Sequence, residues 1–422
     1  GGVSEPKTVT ITVTGTNDVP VAVTDTQTTG ENTVLTGQVP AATDVDGTIA
    51  NYALDTGVGQ GNGSLSFNAN GSYSFAPGTD FDALAAGESR DVTFSYTATD
   101  NDGGVSEPKT VTITVTGTND APVAQAATAT TKENTVLSGQ VPAATDVDGT
   151  IASYALDTGV GQGNGALSFN ADGSYSFAPG TDFDSLAAGE SRDVTFSYTA
   201  ADNDGGVSAP KTVTITVTGT NDAPVAVADT GSTGENATLN VAAAQGVLAN
   251  DSDVDGGTLS VSAVNGAAGS VGQAITGSNG GTFTLNADGS YSFNPGSAFD
   301  RLPAGQTDTT KVSYTVSDGQ GGTATSTLTV TVTGTNDVPV AVADTQTTGE
   351  NTVLSGQVPA ASDVDGTVAG YNLATDVGTG DGSLTFNADG SYSFVSGTDF
   401  DSLAAGESRD VTFSYTATDN DG

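Results

Sequence analysis

The run Val111-Thr112-Ile113-Thr114-Val115-Thr116-Gly117-Thr118-Asn119-Asp120 joins an alternating apolar and polar stretch to a short polar segment. Alternation with a period of two is typical of a β-strand that buries one face. The tetrapeptide Gly-Thr-Asn-Asp recurs with its first residue at positions 15, 117, 219 and 334, and proline follows each copy after one intervening residue. The intervals of 102, 102 and 115 residues match the size of one small domain, so the pattern predicts a tandem array of modules.

The phase of the repeat predicts where the modules begin and end. Residues 1–18 have the same sequence as residues 103–120, and Gly422 occupies the same place in the cycle as Gly1. We therefore expect an excerpt from a longer array; the alternative is that the opening strand of one chain completes the last module of another. The predicted domains are a closing strand of a preceding module at 1–18, module 1 at 19–120, module 2 at 121–222, a variant module 3 at 223–337, and module 4 at 338–422 without its last strand.

Module 1 shows seven strand signals separated by turn residues. The clearest is a hairpin, Ser64–Phe67 and Ser72–Phe75, with Asn70-Gly71 at its tip suited to positive φ. The other predicted strands are Val21–Thr26, Thr33–Val39, Thr48–Leu54, Val92–Ala98 and Val111–Val115, with one helical turn at Phe81–Leu84. Labelled A to G, these predict an all-β fold, a tandem array of seven-stranded antiparallel sandwiches of immunoglobulin-like type. In module 3 most of the 13 extra residues fall between strands C and D, which predicts a longer surface loop or a contact surface peculiar to that module.

Composition restricts the chemistry. Acidic residues outnumber basic ones 50 to 9, so nucleic acid and anionic membranes are unfavourable partners, and no apolar run is long enough for direct membrane insertion. Without histidine or cysteine, neither a Ser-His-Asp nor a Cys-His nucleophile can be built, and soft metal sites lack their preferred ligands. We therefore expect that the chain is not an enzyme. Abundant carboxylates instead favour a hard cation, with Ca²⁺ the obvious candidate.

The order of the strands predicts which acidic turns meet. Because consecutive antiparallel strands reverse direction, the A–B and E–F turns lie at one end of a module, and the B–C and F–G turns lie at the other. Stacked modules would then bring Glu31, Asp82, Asn119 and Asp120 against Asp146, Asp148, Asp202 and Asp204, a set that would repel strongly without a cation. The same logic predicts three further groups of ligands: Asp18, Asp44, Asp46, Asp100 and Asp102; Glu133, Asp184, Asn221, Asp222, Asp253, Asp255 and Asp318; and Glu235, Asp300, Asn336, Asp337, Asp363, Asp365, Asp419 and Asp421.

Asp and Asn before glycine are also ordinary turn formers. We interpret the hairpin-tip residues Asn70, Asp172, Asp288 and Asp389 in that way. For the E–F aspartates both readings stay open, since Asp82 could cap the short helical turn.

The residues resemble the VCBS-type, cadherin-like repeats of large bacterial surface adhesins secreted with RTX proteins. The resemblance rests on Val247–Gly256, Leu285–Phe293 and Val316–Gly322 of module 3, and on the joint Thr118–Pro122 with the glutamate of the A–B turn. It implies interdomain calcium on Asn119, Asp120, Glu31, Asp146 and Asp148. Phe-Asp-Ala-Leu replaces the Asp-Arg-Glu motif of animal cadherins, and glycine-rich nonapeptide repeats are absent.

The resemblance also implies a function and a place. We expect a structural extender of a bacterial cell-surface adhesin or surface fibre, extracellular and made rigid by calcium at the joints between neighbouring modules of one long chain. Two alternatives stay open. One is a self-assembling extracellular filament in which identical chains exchange strands, and the other is a polysaccharide-binding module.

Overall fold

The computed structural model describes residues 1–421 and is all-β apart from short 3₁₀ turns. The chain forms two compact units, residues 1–183 with 189–219, and residues 184–188 with Thr220 onward. The first unit holds the strands of modules 1 and 2, and the second holds those of modules 3 and 4. Among the described residues, no helix is long and apolar enough to cross a membrane.

Module 1 is a sandwich of a four-stranded and a three-stranded sheet. Its elements are β1 (Asp25–Gly30), β2 (Leu35–Gln38), β3 (Ile49–Thr56), β4 (Ser64–Phe67), β5 (Ser72–Ala76), a 3₁₀ turn (Gly78–Asp80), β6 (Ser89–Asp100) and β7 (Lys109–Thr116). The strand orders are β1-β7-β6-β3 and β2-β5-β4. The predicted hairpin pairs in register, with Leu65 opposite Phe75 and Phe67 opposite Tyr73.

Module 2 repeats this arrangement. Its elements are β8 (Ala127–Lys132), β9 (Leu137–Gln140), β10 (Ile151–Thr158), β11 (Ala166–Phe169), β12 (Ser174–Ala178), a 3₁₀ turn (Gly180–Asp182), β13 (Ser191–Asp202) and β14 (Lys211–Thr218). The sheets have the orders β10-β13-β14-β8 and β11-β12-β9.

The core of module 1 comes from the inward faces of the strands. Phe94 and Tyr96 of β6 and Val111 and Ile113 of β7 are at most 1% exposed, while Ser95 and Thr112, which alternate with them, are half-buried. Burying each such apolar side chain stabilises the fold by about 1.5–3 kcal/mol. Phe81, which follows the 3₁₀ turn, packs against Phe75 in this core, with ring centroids 6.3 Å apart.

Two details of the sequence prediction are wrong. Strand A does not pair antiparallel: β1 runs parallel to β7, with Asp25 opposite Val111, and Val21 instead forms an isolated bridge with Thr43. Strand A is thus split into an isolated bridge at Val21 and the strand β1, whose pairing depends on β7, some 80 residues away, and not on local pattern. The 3₁₀ turn lies at Gly78–Asp80, immediately after Pro77, whose fixed φ favours a helical start there. The predicted segment Phe81–Leu84 forms only a hydrogen-bonded turn, in which the Leu84 N–H donates to the carbonyl oxygen of Phe81 at 2.9 Å.

Module 3 has two four-stranded sheets. Its strands are β15 (Asp229–Gly234), β16 (Leu239–Val241), β17 (Ser260–Val264), β18 (Ala274–Thr276), β19 (Thr282–Leu285), β20 (Tyr291–Asn294), β21 (Thr307–Ser317) and β22 (Thr323–Thr333), with 3₁₀ turns at Ala243–Gln245, Ala268–Ser270 and Gly296–Ala298. The orders are β15-β22-β21-β17 and β16-β20-β19-β18. The extra residues are therefore not only a surface loop, because part of them forms the added edge strand β18 against β19.

Module 4 contains β23 (Leu354–Gln357), β24 (Val368–Thr375), β25 (Ser383–Phe386), β26 (Ser391–Val395) and β27 (Ser414–Asp419). Residues 344–349 and 408–413, the counterparts of β1 and of the start of β6, form no strand. In module 1 both of those segments pair with β7, so they lack a partner here. Residues 1–18, whose sequence is that of β7 and its flanks, form no strand either.

Candidate cation site at the joints

In the first unit, the Gly-Thr-Asn-Asp segment after β7 is hydrogen-bonded to the modules on both sides of it. Thr118 donates from its backbone N–H at 2.6 Å and from Oγ1 at 2.7 Å to Oε1 of Glu31, in the A–B turn of module 1. The backbone N–H of Asp120 donates to Oδ2 of Asp148 at 3.2 Å, in the B–C turn of module 2. The linker therefore joins the end of one module to the beginning of the next.

Glu31 is buried at this joint. Its side chain is 1% exposed, and its backbone N–H donates to the carbonyl oxygen of Thr116 at 3.0 Å, which ties the A–B turn to the end of β7. The second carboxylate oxygen, Oε2, has no hydrogen-bond partner among the described residues. A buried charged oxygen without a partner is unfavourable, so this position calls for a positive group.

Asp120 lies among other carboxylates. Burial, together with the negative charges of Glu31, Asp148, Asp82 and Asp146, raises the pKa of the Asp120 carboxyl above its ordinary value. The two modules thus contribute charges of the same sign to one small region.

Three further oxygens at this joint are buried and lack hydrogen-bond partners among the described residues: Asn119 Oδ1, Asp146 Oδ2 and Asp148 Oδ1. Carboxylate and amide oxygens are the ligands that Ca²⁺ takes, six to eight at a time, so this donor set fits a calcium ion. Within residues 1–421, however, no three or more acidic side chains lie in an arrangement that could hold a metal ion as they stand.

The joint between modules 3 and 4, inside the second unit, repeats these contacts. Glu235 is 2% exposed and accepts from the backbone N–H and Oγ1 of Thr335 at 2.5 and 2.7 Å. Burial and the charges of Glu235, Asp365, Asp300 and Asp363 raise the pKa of Asp337. Buried oxygens without hydrogen-bond partners among the described residues are again present: Glu235 Oε2, Asn336 Oδ1, Asp363 Oδ1 and Oδ2, and Asp365 Oδ1.

The other two predicted ligand groups lie at the beginning of module 1 and between modules 2 and 3, and hydrogen bonds connect some of their members. At the beginning of module 1, the Asp18 N–H donates to Asp46 Oδ2 at 3.2 Å, and Asp44 Oδ1 accepts from the Asp46 N–H at 3.1 Å. At the beginning of module 3, the Asp222 N–H donates to Asp255 Oδ2 at 2.7 Å, and the Asp255 N–H donates to Asp253 Oδ1 at 3.0 Å. At the end of module 2, Glu133 is buried and Asp184 is half-buried.

The F–G turns separate their two aspartates. The first aspartate of each turn is buried: Asp100, Asp202, Asp318 and Asp419. The second is exposed where the turn has one, and its carboxylate accepts from the preceding asparagine: Asp102, Asp204 and Asp421. The structure therefore does not bring the second aspartates into the buried cluster, contrary to the sequence prediction, because the turn directs them to solvent.

The alternative helix-capping role of Asp82 is not seen either, since the 3₁₀ turn precedes it and has no side-chain cap.

Two sets of residues were not predicted from the sequence. Thr118 and Thr335 donate hydrogen bonds to the buried glutamates. A threonine stands at this place in every Gly-Thr-Asn-Asp copy, and that repetition could have indicated its role. In module 3, Tyr314 donates to Asp229 Oδ2 at 2.6 Å, and Asp251 Oδ1 accepts from the Val227 N–H at 2.7 Å. Burial raises the pKa of both aspartates. The two contacts bring together residues 85 and 24 positions apart, for which the sequence carries no local signal.

Sequence comparison identifies the modules. The bacterial cadherin-like domain matches residues 17–117, 119–219 and 221–334, and the bacterial Ig domain matches residues 336–422. The chain belongs to the bacterial cadherin-like domain family. Domains of these two kinds are typical of extracellular proteins. No curated protein matches this chain.

Solved structures agree on the fold of this bacterial cadherin-like protein. The protocadherin gammaB7 EC3-6 cis-dimer structure matches with a TM-score of 0.50 at 13% identity, over 95% of this chain and 96% of that one. Protocadherin gamma B2 extracellular cadherin domains 1-5 match with a TM-score of 0.50 at 15% identity, over 90% of this chain and 74% of that one. At such low identity the likeness establishes the fold alone, a tandem array of cadherin-like sandwiches.

Proposed function

We propose that the chain is an extender region of a bacterial cell-surface adhesin or surface fibre of the VCBS type, made rigid by calcium at its joints. The observation that carries this proposal is the buried Glu31 carboxylate, with one oxygen lacking a partner, next to Asp120 and the carboxylates of the following module. Glu235 and Asp337 repeat the arrangement. A surface that served only solubility would expose these charges.

The residues that would hold calcium come from both modules at each joint. When bound, calcium supplies the positive charge that neutralises these carboxylates. Glu31 and Asp82 belong to one module, and Asp146 and Asp148 to the next, so one neutralised cluster links two modules. Without it, like charges across the joint repel each other. In module pairs 1–2 and 3–4 the proposed holders are Glu31, Asp82, Asn119, Asp120, Asp146 and Asp148, and Glu235, Asp300, Asn336, Asp337, Asp363 and Asp365.

Small-angle X-ray scattering of the full chain tests the proposal. We expect a larger maximum dimension in calcium than in chelator, because neutralised joints resist bending. Both samples are adjusted to the same ionic strength with potassium chloride, so that simple screening cannot account for the difference. Superimposable profiles in calcium and chelator would contradict the proposal.

A second candidate function is supported by a groove in module 4. The groove has a volume of about 980 Å³ and lies where β7 lies in module 1; its lining includes Thr345, Leu354, Tyr392, Phe394 and Thr412. A strand with the sequence Lys7–Thr14 has the pattern that fills this place in module 1, and its Val9 and Ile11 are 85% and 82% exposed. Such a strand could come from further along one chain or from a second copy. The second source would make the chain a filament subunit.

Sedimentation velocity over a range of concentrations distinguishes the two sources. Strand exchange between copies predicts association that grows with concentration and is abolished by the double change Val9→Asp and Ile11→Asp, because charge cannot enter the apolar groove. The matched control changes two outward threonines of the same segment, Thr8→Asp and Thr10→Asp. A chain that stays monomeric at the highest concentration would contradict the filament.

A further inference from the structure

Besides the backbone hydrogen bond from its aspartate, each linker makes an amide–aspartate pair with the module after it, defined as the linker asparagine and the first aspartate of the F–G turn. At the joint of modules 1 and 2, Asn119 Nδ2 donates to Asp202 Oδ2 at 2.9 Å. The other oxygen, Asp202 Oδ1, accepts from the backbone N–H groups of Asp204 and Gly206 at 2.8 and 2.9 Å. Each oxygen of this buried carboxylate therefore accepts at least one hydrogen bond, and these hydrogen bonds, led by that from Asn119, lower the pKa of Asp202.

The pair recurs at every described joint. The corresponding N–O distances are 3.0 Å for Asn17 and Asp100, 2.8 Å for Asn221 and Asp318, and 3.1 Å for Asn336 and Asp419. Four copies with nearly the same distance indicate that this contact is a regular feature of the joints and not a peculiarity of one loop.

A glycine in the F–G turn makes room for the pair. A Cβ on Gly206 would lie 2.3 Å from Asp202 Oδ2 and 2.4 Å from Asn119 Nδ2. The corresponding distances are 2.4 and 2.6 Å at Gly104, and 2.1 and 2.9 Å at Gly322. No side chain fits between the two partners, so the turn is built around this hydrogen bond.

The other end of the asparagine amide is free for a ligand. Asn119 Oδ1 is buried and has no hydrogen-bond partner within residues 1–421, and Asn336 Oδ1 is the same. Because an amide carries its donor and its acceptor on one rigid plane, fixing the nitrogen also fixes the direction of the oxygen.

We propose that Asp202 is a positioning residue and not a cation ligand: it holds the linker on module 2 and aims the Asn119 carbonyl oxygen. This differs from the sequence prediction, in which Asp202 binds calcium directly. It also means that the joint keeps this attachment without any cation, since the pair is made of the chain's own atoms. The aiming of Asn119 rests on the calcium proposal, whereas the attachment does not.

Electron–electron distance measurements on spin labels test the attachment in the full chain. The chain has no native cysteine, so Thr93→Cys and Thr195→Cys, at equivalent exposed strand positions of modules 1 and 2, place one label on each module. In chelator, Asn119→Ala and Asp202→Ala should each broaden the distance distribution, and the double variant should be no broader than either single one. The control Asp204→Ala removes an exposed charge from the same turn and should leave the width unchanged.

Three outcomes would overturn the proposal: no broadening by Asn119→Ala in chelator, additive broadening in the double variant, or an effect of Asp202→Ala in calcium only. Asn119 lies outside any strand, so its substitution keeps the test valid if Asp202→Ala unfolds the turn. In calcium, Asn119→Ala, which removes a proposed ligand, and Asp202→Ala, which removes the residue that positions it, should each lower calcium affinity by roughly 10–100-fold. If the wild-type chain binds no calcium, the calcium function fails while the chelator result still decides the attachment.

Discussion

Replacing Glu31 with glutamine should raise the stability of module 1 in chelator and lower its affinity for calcium. In chelator the variant should unfold at a higher temperature, since a buried carboxylate with an unpartnered oxygen beside Asp120 is removed, a gain of roughly 1 kcal/mol or more. In calcium the variant should lose at least about tenfold in affinity at this joint, because fewer charged ligands remain. Thermal unfolding and calorimetric calcium titration measure the two effects.

The control for this experiment is Glu107→Gln in the same module. Glu107 is exposed, so the same loss of charge should leave both measurements nearly unchanged. Glu235→Gln should reproduce both effects at the joint of modules 3 and 4, where the contacts are the same. If Glu31→Gln destabilised the module equally in both conditions, Glu31 would be only a hydrogen-bond acceptor for Thr118.

Replacing Gly117 with alanine should destabilise module 1 by about 1–3 kcal/mol or more, since the added Cβ overpacks against main-chain atoms. That Cβ would lie 2.3 Å from the carbonyl oxygen of Leu84 and 2.6 Å from that of Ala85. The two segments are also bonded through the Gly87 N–H to Gly117 O at 3.2 Å and through the Gly117 N–H to Glu88 O at 2.9 Å. The backbone must therefore move, and Thr118 moves with it. Denaturant unfolding measures the loss.

The chain contains its own control for this change. Gly15 stands in the same tetrapeptide but has nothing within 4 Å of an added Cβ, so Gly15→Ala should have almost no effect. Gly334→Ala should repeat the loss, since its Cβ would lie 2.2 Å from Leu302 O. Equal effects of Gly15→Ala and Gly117→Ala would show that the cost comes from intrinsic backbone preference and not from packing.

The contacts at the joints also explain why the acidic residues have unequal roles. Asp120 and Asp337 have raised pKa values because burial and neighbouring carboxylates disfavour their charge. Asp202 has a lowered pKa because hydrogen bonds stabilise its charge. In sequence both kinds look alike, as aspartate in a polar turn.

Local patterns in the sequence were sufficient for the all-β class, the repeat and the hairpins. Alternation at Leu65, Phe67, Tyr73 and Phe75 and the turn at Asn70-Gly71 depend only on neighbouring residues, and period and turn chemistry are local properties. The order of the turns also predicted that Glu31 and Asp120 would meet Asp146 and Asp148, a set that the structure brings together. Their role as calcium ligands stays a prediction.

Tertiary structure alone decided the rest of the joint. The parallel pairing of β1 with β7 depends on a strand far along the chain, and no local pattern specifies a distant partner. Of the two aspartates in this F–G turn, Asp202 is buried and accepts from the linker asparagine, whereas Asp204 is exposed. The sequence by itself determined which oxygens each module carries to its ends; folding decided which are bonded and which are left without a partner, because that depends on distances between residues remote in the chain.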